Sequence, residues 1–142
     1  MTRIGPVGCA AQKLQRPAPA RDLYVSQLFR KASAYAQATC DVWFILSAKH
    51  HLVHPDEVPD PYNVRLGDKV TGPPIWDWAT ETARQIEEAA AAFDDPHLVV
   101  LAGEQYQTIR WRTTLPNDIP MKGLGIGEQL AFLTRELNAI HA

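Results

Sequence analysis

Apolar positions along this chain fall into two patterns. Some form short unbroken runs. Others recur every three or four residues over longer stretches. The clearest unbroken run is Val42–Leu46, which mixes β-branched and aromatic residues. Such runs fit strands buried on both faces of a parallel sheet. The segment 97–102 (HLVVLA) repeats the pattern, and Gly103 and Glu104 follow at its carboxyl end. Ile4–Cys9 is a third candidate strand, although Pro6 removes a ladder donor and is awkward in a central strand.

The helical periodicities lie between these runs. Ser26 is placed to cap a helix ending near Thr39, with Leu28, Phe29, Ala32, Tyr35 and Ala36 on one face. Trp76–Phe93 is rich in Ala, Glu and Gln and predicts a second helix, ended by Asp94, Asp95 and Pro96. Gly127–Ile140 predicts a third, with Ile126, Leu130, Leu133, Leu137 and Ile140 as its apolar stripe. Gln105–Thr114 is ambiguous, with a short helix favoured over a strand. Ala10–Leu23, punctuated by Pro17 and Pro19, reads as an extended loop. Between His50 and Pro74, Pro55, Pro59, Pro61, Pro73 and Pro74 exclude a long helix. A fourth strand is sought in Asn63–Val70. The alternation predicts one α/β domain over residues 1–142, a small three-layer unit with a short, mostly parallel sheet flanked by helices.

Composition agrees with that picture. At 142 residues, with 46% hydrophobic and 21% charged residues, the chain is one ordinary soluble domain that needs no metal or disulfide to fold. The formal net charge of −2 argues against a broad phosphate-binding face, though not against a local basic patch. Cys9 and Cys40 show no CxxC spacing and read as reduced thiols. Met1–Gln12 lacks the apolar core of a signal peptide, and no run of about 18 apolar residues exists to span a membrane. The expected compartment is the cytoplasm.

Candidate chemistry gathers after the strands, where open α/β sheets bind ligands. At the end of the Val42 run stand Ser47, Lys49 and His50, suited to binding a phosphate or carbonyl, supplying a point charge and carrying a proton. The competing reading is a solvated turn with a core-capping serine. His50, His51 and His54 with Asp56 or Glu57 suggest a metal, but their spacing fits no single helical face, and no metal or other cofactor is expected. Arg21, Asp22 and Tyr24 precede the first helix, where an anion suits the N-terminus; the alternative is a surface ion pair and a buried ring. Cys9 and Lys13 flank the end of the first strand. Glu104 and Tyr106 follow the third, placing a carboxylate where glycosidic cleavage needs one. Tyr24 and Tyr62 are candidate stacking rings for a base. Trp76 and Trp78 read as packing or anchoring residues. Arg110–Trp111–Arg112 interleaves basic and aromatic groups and reads as surface or as a nucleic-acid contact.

Several of these segments also form a family pattern. They are Cys9–Leu14, Ala20–Phe29, Leu46–Leu52, Pro61–Asn63, Leu101–Tyr106 and Gly125–Gly127. Through them the chain resembles the YaaA-type peroxide-stress proteins, nearest to a short bacterial and phage domain family of unknown function. It is more loosely similar to the lysine-transfer domain of archaeosine synthases. The resemblance implies a lean towards nucleobases and nucleic acids. Three positions depart from the pattern: Ala10 and His51 replace glycines, and Asn63 replaces an aspartate. A glycine at position 51 would permit positive φ, so His51 is expected to be strained or to remodel its turn.

The expected function is an enzyme acting on a nucleobase, nucleoside or nucleotide by glycosidic cleavage, base exchange or base modification. Ser47, His50 and Glu104 would be catalytic, with Lys13, Arg21, Tyr24, Lys49, Tyr62 and Asn63 binding substrate in one pocket. The runner-up is a non-catalytic nucleic-acid binder with a basic face built from Arg21, Arg30, Lys31, Lys49, Arg110 and Arg112. A protein-interaction module is the third reading.

Overall fold

The structure, a computed structural model, describes residues 1–8, 17–59, 66, 68 and 72–141. The unbroken apolar runs become the middle of a five-stranded sheet in the order β3-β2-β1-β4-β5. These strands are β1 (Thr2–Gly8), β2 (Val42–Ser47), β3 (His51–Val53), β4 (Pro96–Val99) and β5 (Asn117–Asp118). All neighbours are parallel except β3, which folds back antiparallel on β2. The expected small three-layer α/β architecture is the one observed.

Helices α1 (Ala20–Leu23), α2 (Gln27–Thr39), α3 (Ile75–Ala90) and α4 (Ile126–Ile140) and a 3-10 helix (Tyr106–Trp111) cover the sheet. Alternate residues of each central strand feed opposite cores. Val7, Ile45, Val99 and Leu101 pack with Phe29, Ala32 and Leu133 on the α2–α4 side. Ile4, Leu46, Leu98 and Val100 pack with Trp78, Ala79 and Ile86 on the α3 side. Burial of both faces removes the need for polar alternation along these strands, which is why they are apolar throughout.

Pro6 does sit in the central strand, and the ladder shows the consequence. The β1–β2 register runs unbroken from Ile4–Val42 to Gly8–Leu46. On the other side, the β1–β4 pairing stops at Ile4–Leu98 and resumes in the same register at Val7–Leu101. The Leu98 and Val100 amides donate away from β1, to Pro116 and Asp118. Val99 therefore turns its carbonyl towards Pro6, which has no N–H to offer. The ladder breaks at that one missing donor.

Local signals explain the helices. The Ser26 hydroxyl accepts from the Phe29 amide at 3.1 Å, the expected cap of α2. In α4 the expected stripe is only partly inside: Leu133 and Gln129 are buried, whereas Ile126 is 70% and Ile140 42% exposed. Both ends of α4 overhang the body of the domain. Two short strands and one short helix escaped the reading. β3 lies in the proline-rich stretch, β5 adds only Asn117 and Asp118 to the sheet edge, and α1 is a single turn inside the expected loop. The fourth strand sought in Asn63–Val70 falls almost wholly outside the described residues. No described helix is long and apolar enough to cross a membrane.

Candidate functional site

β1 is the point where the strand order reverses. The chain leaves it through α1 and α2 to β2 on one side, and returns through β3 and α3 to β4 on the other. Beyond a reversal the two connections diverge and leave a crevice at the carboxyl ends. A cleft of about 430 Å³ lies there, within the size range of small-molecule sites. Gly8 and Leu101–Tyr106 line it from the strand ends, Leu28 and Ala32 from α2, and Met121 and Leu124–Ile126 with Gln129 from the start of α4.

The floor is shaped by small residues. A Cβ on Gly8 would stand 2.9 Å from the Ala102 Cβ, closer than such atoms approach. The strand-to-helix corner is stapled by Gln107, whose buried amide donates to the Ala102 carbonyl at 2.8 Å. Tyr106 stands edge-on to Trp78, with ring centres 5.2 Å apart. The cleft wall is therefore braced by the α3-side core.

Polar groups in the cleft are few. Glu104 is exposed on its rim. Gln129 is 4% exposed. Its amide nitrogen donates to the Leu124 carbonyl at 2.8 Å, which fixes the side chain, while its Oε1 is buried with no hydrogen-bond partner among the described residues. A buried acceptor without a partner costs stability and invites a donor. The Gly125 amide donates to Glu128 Oε1 at 3.3 Å, and the N-cap, a glycine, supplies no side chain of its own to α4.

On the other side of β1, the end of β2 is packed. Ser47 is fully buried; its hydroxyl accepts from the His50 amide at 3.0 Å, and its carbonyl accepts from the Trp78 indole at 2.8 Å. The sequence between β2 and β3 thus folds as a tight turn clamped by α3. His51 has φ +64, in the left-handed region anticipated for this turn. Histidine tolerates this region better than most residues, and its Nδ1 is 3.1 Å from the buried Thr82 hydroxyl. Burial pushes the His51 pKa below its ordinary value, against the opposing pull of Glu81.

The remaining sequence candidates scatter. Lys49 is exposed on the turn. Arg21 pairs with Asp56 on the surface beside the segment after β3. Tyr24 is 1% exposed and packs against Phe29, so its ring offers no face to a base, contrary to the stacking role expected of it. Ser47, Lys49 and His50 do not line the cleft that Glu104 joins. β1 stands between the two strand ends, a lateral separation of about 10 Å. Arg21 is likewise absent from the lining of that cleft, and Lys13 and Tyr62, expected in the same pocket, lie outside the described residues. Cys9 and Asn63 also lie outside them. Sequence reasoning missed Gln129, although the Gly125–Gly127 motif just before it marks the helix start. No group of three or more His, Cys, Asp or Glu able to hold a metal ion occurs among the described residues. The expected basic face also divides. Arg30 and Lys31 lie on α2, with Lys31 bonded to Thr134 of α4, whereas Arg110 and Arg112 end the 3-10 helix that packs on α3.

Comparison with known proteins adds a family and a relative. Residues 4–135 match the model of DUF6884, a family of unknown function. An uncharacterized Bacillus subtilis (strain 168) protein, YfjM, is 34% identical over 116 residues, covering 77% of this chain and 75% of the relative. No solved structure gives a significant match.

Proposed function

The chain belongs to the DUF6884 family, and from its cleft we propose that it is an enzyme acting on a nucleobase, nucleoside or nucleotide bound at the switch point between β1 and β4. One observation carries this reading: Gln129, whose buried Oε1 has no hydrogen-bond partner among the described residues, lines the same small, mostly apolar cleft as Glu104. An apolar slot with one or two oriented acceptors suits a flat heterocycle bearing N–H groups.

Within this reading Glu104 is the catalytic carboxylate. It would orient a water or stabilise positive charge on a sugar during glycosidic cleavage or base exchange. Gln129 would accept a hydrogen bond from the base. Ser47 and His50, expected to be catalytic, would instead shape the neighbouring turn. The likeness of the strand-end motifs to YaaA-type proteins supports the same ligand class by analogy.

A thermal-shift screen tests it. Nucleobases, nucleosides and nucleotides are added singly, and any ligand bound only by the native state raises the melting temperature. At least one is expected to do so, and Gln129→Leu to abolish the shift. Glu104→Gln should retain the shift and lose turnover of the ligand so identified. No shift with any member of the panel would remove this reading.

A further inference from the structure

The cleft does not end at Glu104. Glu104, Leu124 and Gly125 also line a depression that continues over Arg110, Trp111 and Lys122. Those three residues in turn line a third depression beside the edge strand β5. The result is one groove, apolar at the switch point and cationic towards the sheet edge. Trp111 is 61% exposed, with the Arg110 guanidinium 4.2 Å from its ring centre. A second such stack stands nearby, where Arg112 lies 4.6 Å over Trp76, itself 49% exposed. Two large exposed aromatic rings are an anomaly on a surface this small, since burying them would be favourable.

The charges point the same way. Some surface arginines are neutralised, Arg84 by Glu81 and Glu88 and Arg21 by Asp56, while others, such as Arg30 on α2, have no ion pair among the described residues. Arg110, Arg112 and Lys122 form no ion pair among the described residues. Of the carboxylates on the groove, Asp118 is held by His97, and Glu104 stands at the cleft end. Unpaired cations interleaved with open aromatic faces complement a chain of phosphates carrying flat bases.

We infer that this groove is a track for single-stranded nucleic acid, with phosphates on Arg110 and Lys122, a base stacked on Trp111, and one base delivered into the cleft. The delivery of that base rests on the reading of the cleft proposed above. A base held in a duplex stack would not reach so recessed a slot, so an unpaired strand is the form that fits. Arg112 and Trp76 extend the track by one further stacking step.

The test is a fluorescence-anisotropy titration of the full chain with a labelled oligothymidylate of about twelve nucleotides and its duplex counterpart. The strand should bind better than the duplex. The two phosphates neutralised by Arg110 and Lys122, at about −0.7 each, predict a log–log salt slope of about −1.4. Trp111→Ala should weaken binding about tenfold or more, with Trp111→Phe retaining most of it. Arg110→Ala and Lys122→Ala should each flatten the salt slope by about 0.7. All four substitutions are at the surface, and circular dichroism checks the fold. The inference is overturned by absence of binding at low salt, by equal or better binding of duplex, or by indifference to Trp111→Ala. If mononucleotides raise the melting temperature while strands do not bind, the track falls and the cleft reading stands. If strands bind as described but Gln129→Leu leaves their affinity unchanged, delivery into the cleft falls instead.

Discussion

The two flanks of β1 end at the same level of the sheet and meet opposite fates. On the β2 side the chain turns at once into β3, and the Trp78 indole of α3 takes the Ser47 carbonyl. On the β4 side the chain runs on through Gly103 into a 3-10 helix, and α4 starts across a gap. Both strand ends carry polar residues. What separates the packed turn from the cleft is the next helix: α3 lies over the first, while α2 and the start of α4 form the walls of a cleft at the second. Polar residues after a strand are therefore an ambiguous signal until the covering helix is known.

Substitutions that break the packed side should have the largest effects. Trp78→Ala removes a fully buried indole and is expected to cost about 3–5 kcal/mol, read from the midpoint of chemical denaturation. A loss below about 1 kcal/mol would show that the β2 end is not held by packing. Next is Gly8→Val, which forces branched bulk against Ala102; overpacking should cost about 1–3 kcal/mol and narrow the cleft. Its ligand-induced thermal shift should vanish even where the protein stays folded. Ser47→Ala removes the bond accepted from the His50 amide and should cost about 1 kcal/mol, while leaving that shift intact. Loss of the shift in Ser47→Ala would join the two flanks into one site.

A pH titration sharpens the contrast further. The folded pKa of His51 lies below its unfolded value of 6.5, so the unfolded chain binds its proton first. The stability this group contributes is full above the unfolded value and is lost as pH falls through the folded one. The melting temperature should decline on acidification below about 6.5, and His51→Asn should flatten that decline while keeping a residue that tolerates positive φ. An unchanged slope in the variant would remove His51 as the cause. Smallest of all in stability is Gln129→Leu, which trades a buried unpaired acceptor and one bond to Leu124 for apolar contact. It should shift stability by less than about 1 kcal/mol in either direction while abolishing ligand response.

Much of the frame was legible from the chain alone. The apolar runs at Val42 and Leu98 announced strands buried on both faces, and Ser26 capped its helix as its position implied. The short elements were not legible. β3 and β5 are three and two residues long and exist because an edge was available to pair with, which no local pattern encodes. The α4 stripe misled because periodicity assumes a helix covered along its whole length, and Ile126 overhangs the cleft. The same overhang brings Gln129 inside, so the site's buried acceptor was hidden by the pattern that should have excluded it. Glu104 was found because the strand-end rule needs only local sequence. Its separation from Ser47 depends on strand order, which is a property of the whole chain.

The proline in β1 bears on how this protein would report an event in its cleft. Beyond the gap at Pro6, the ends of β1 and β4 are joined by two bonds, from the Leu101 amide to the Pro6 carbonyl and from the Gly8 amide to the Leu101 carbonyl. The missing bond detaches that corner from the zipper that closes the rest of the sheet. It should open as its own unit, so the Gly8 and Leu101 amides should exchange with solvent deuterium faster than those of the β1–β2 ladder. Occupancy of the cleft would then be recorded in those two amides before it altered any other part of the domain.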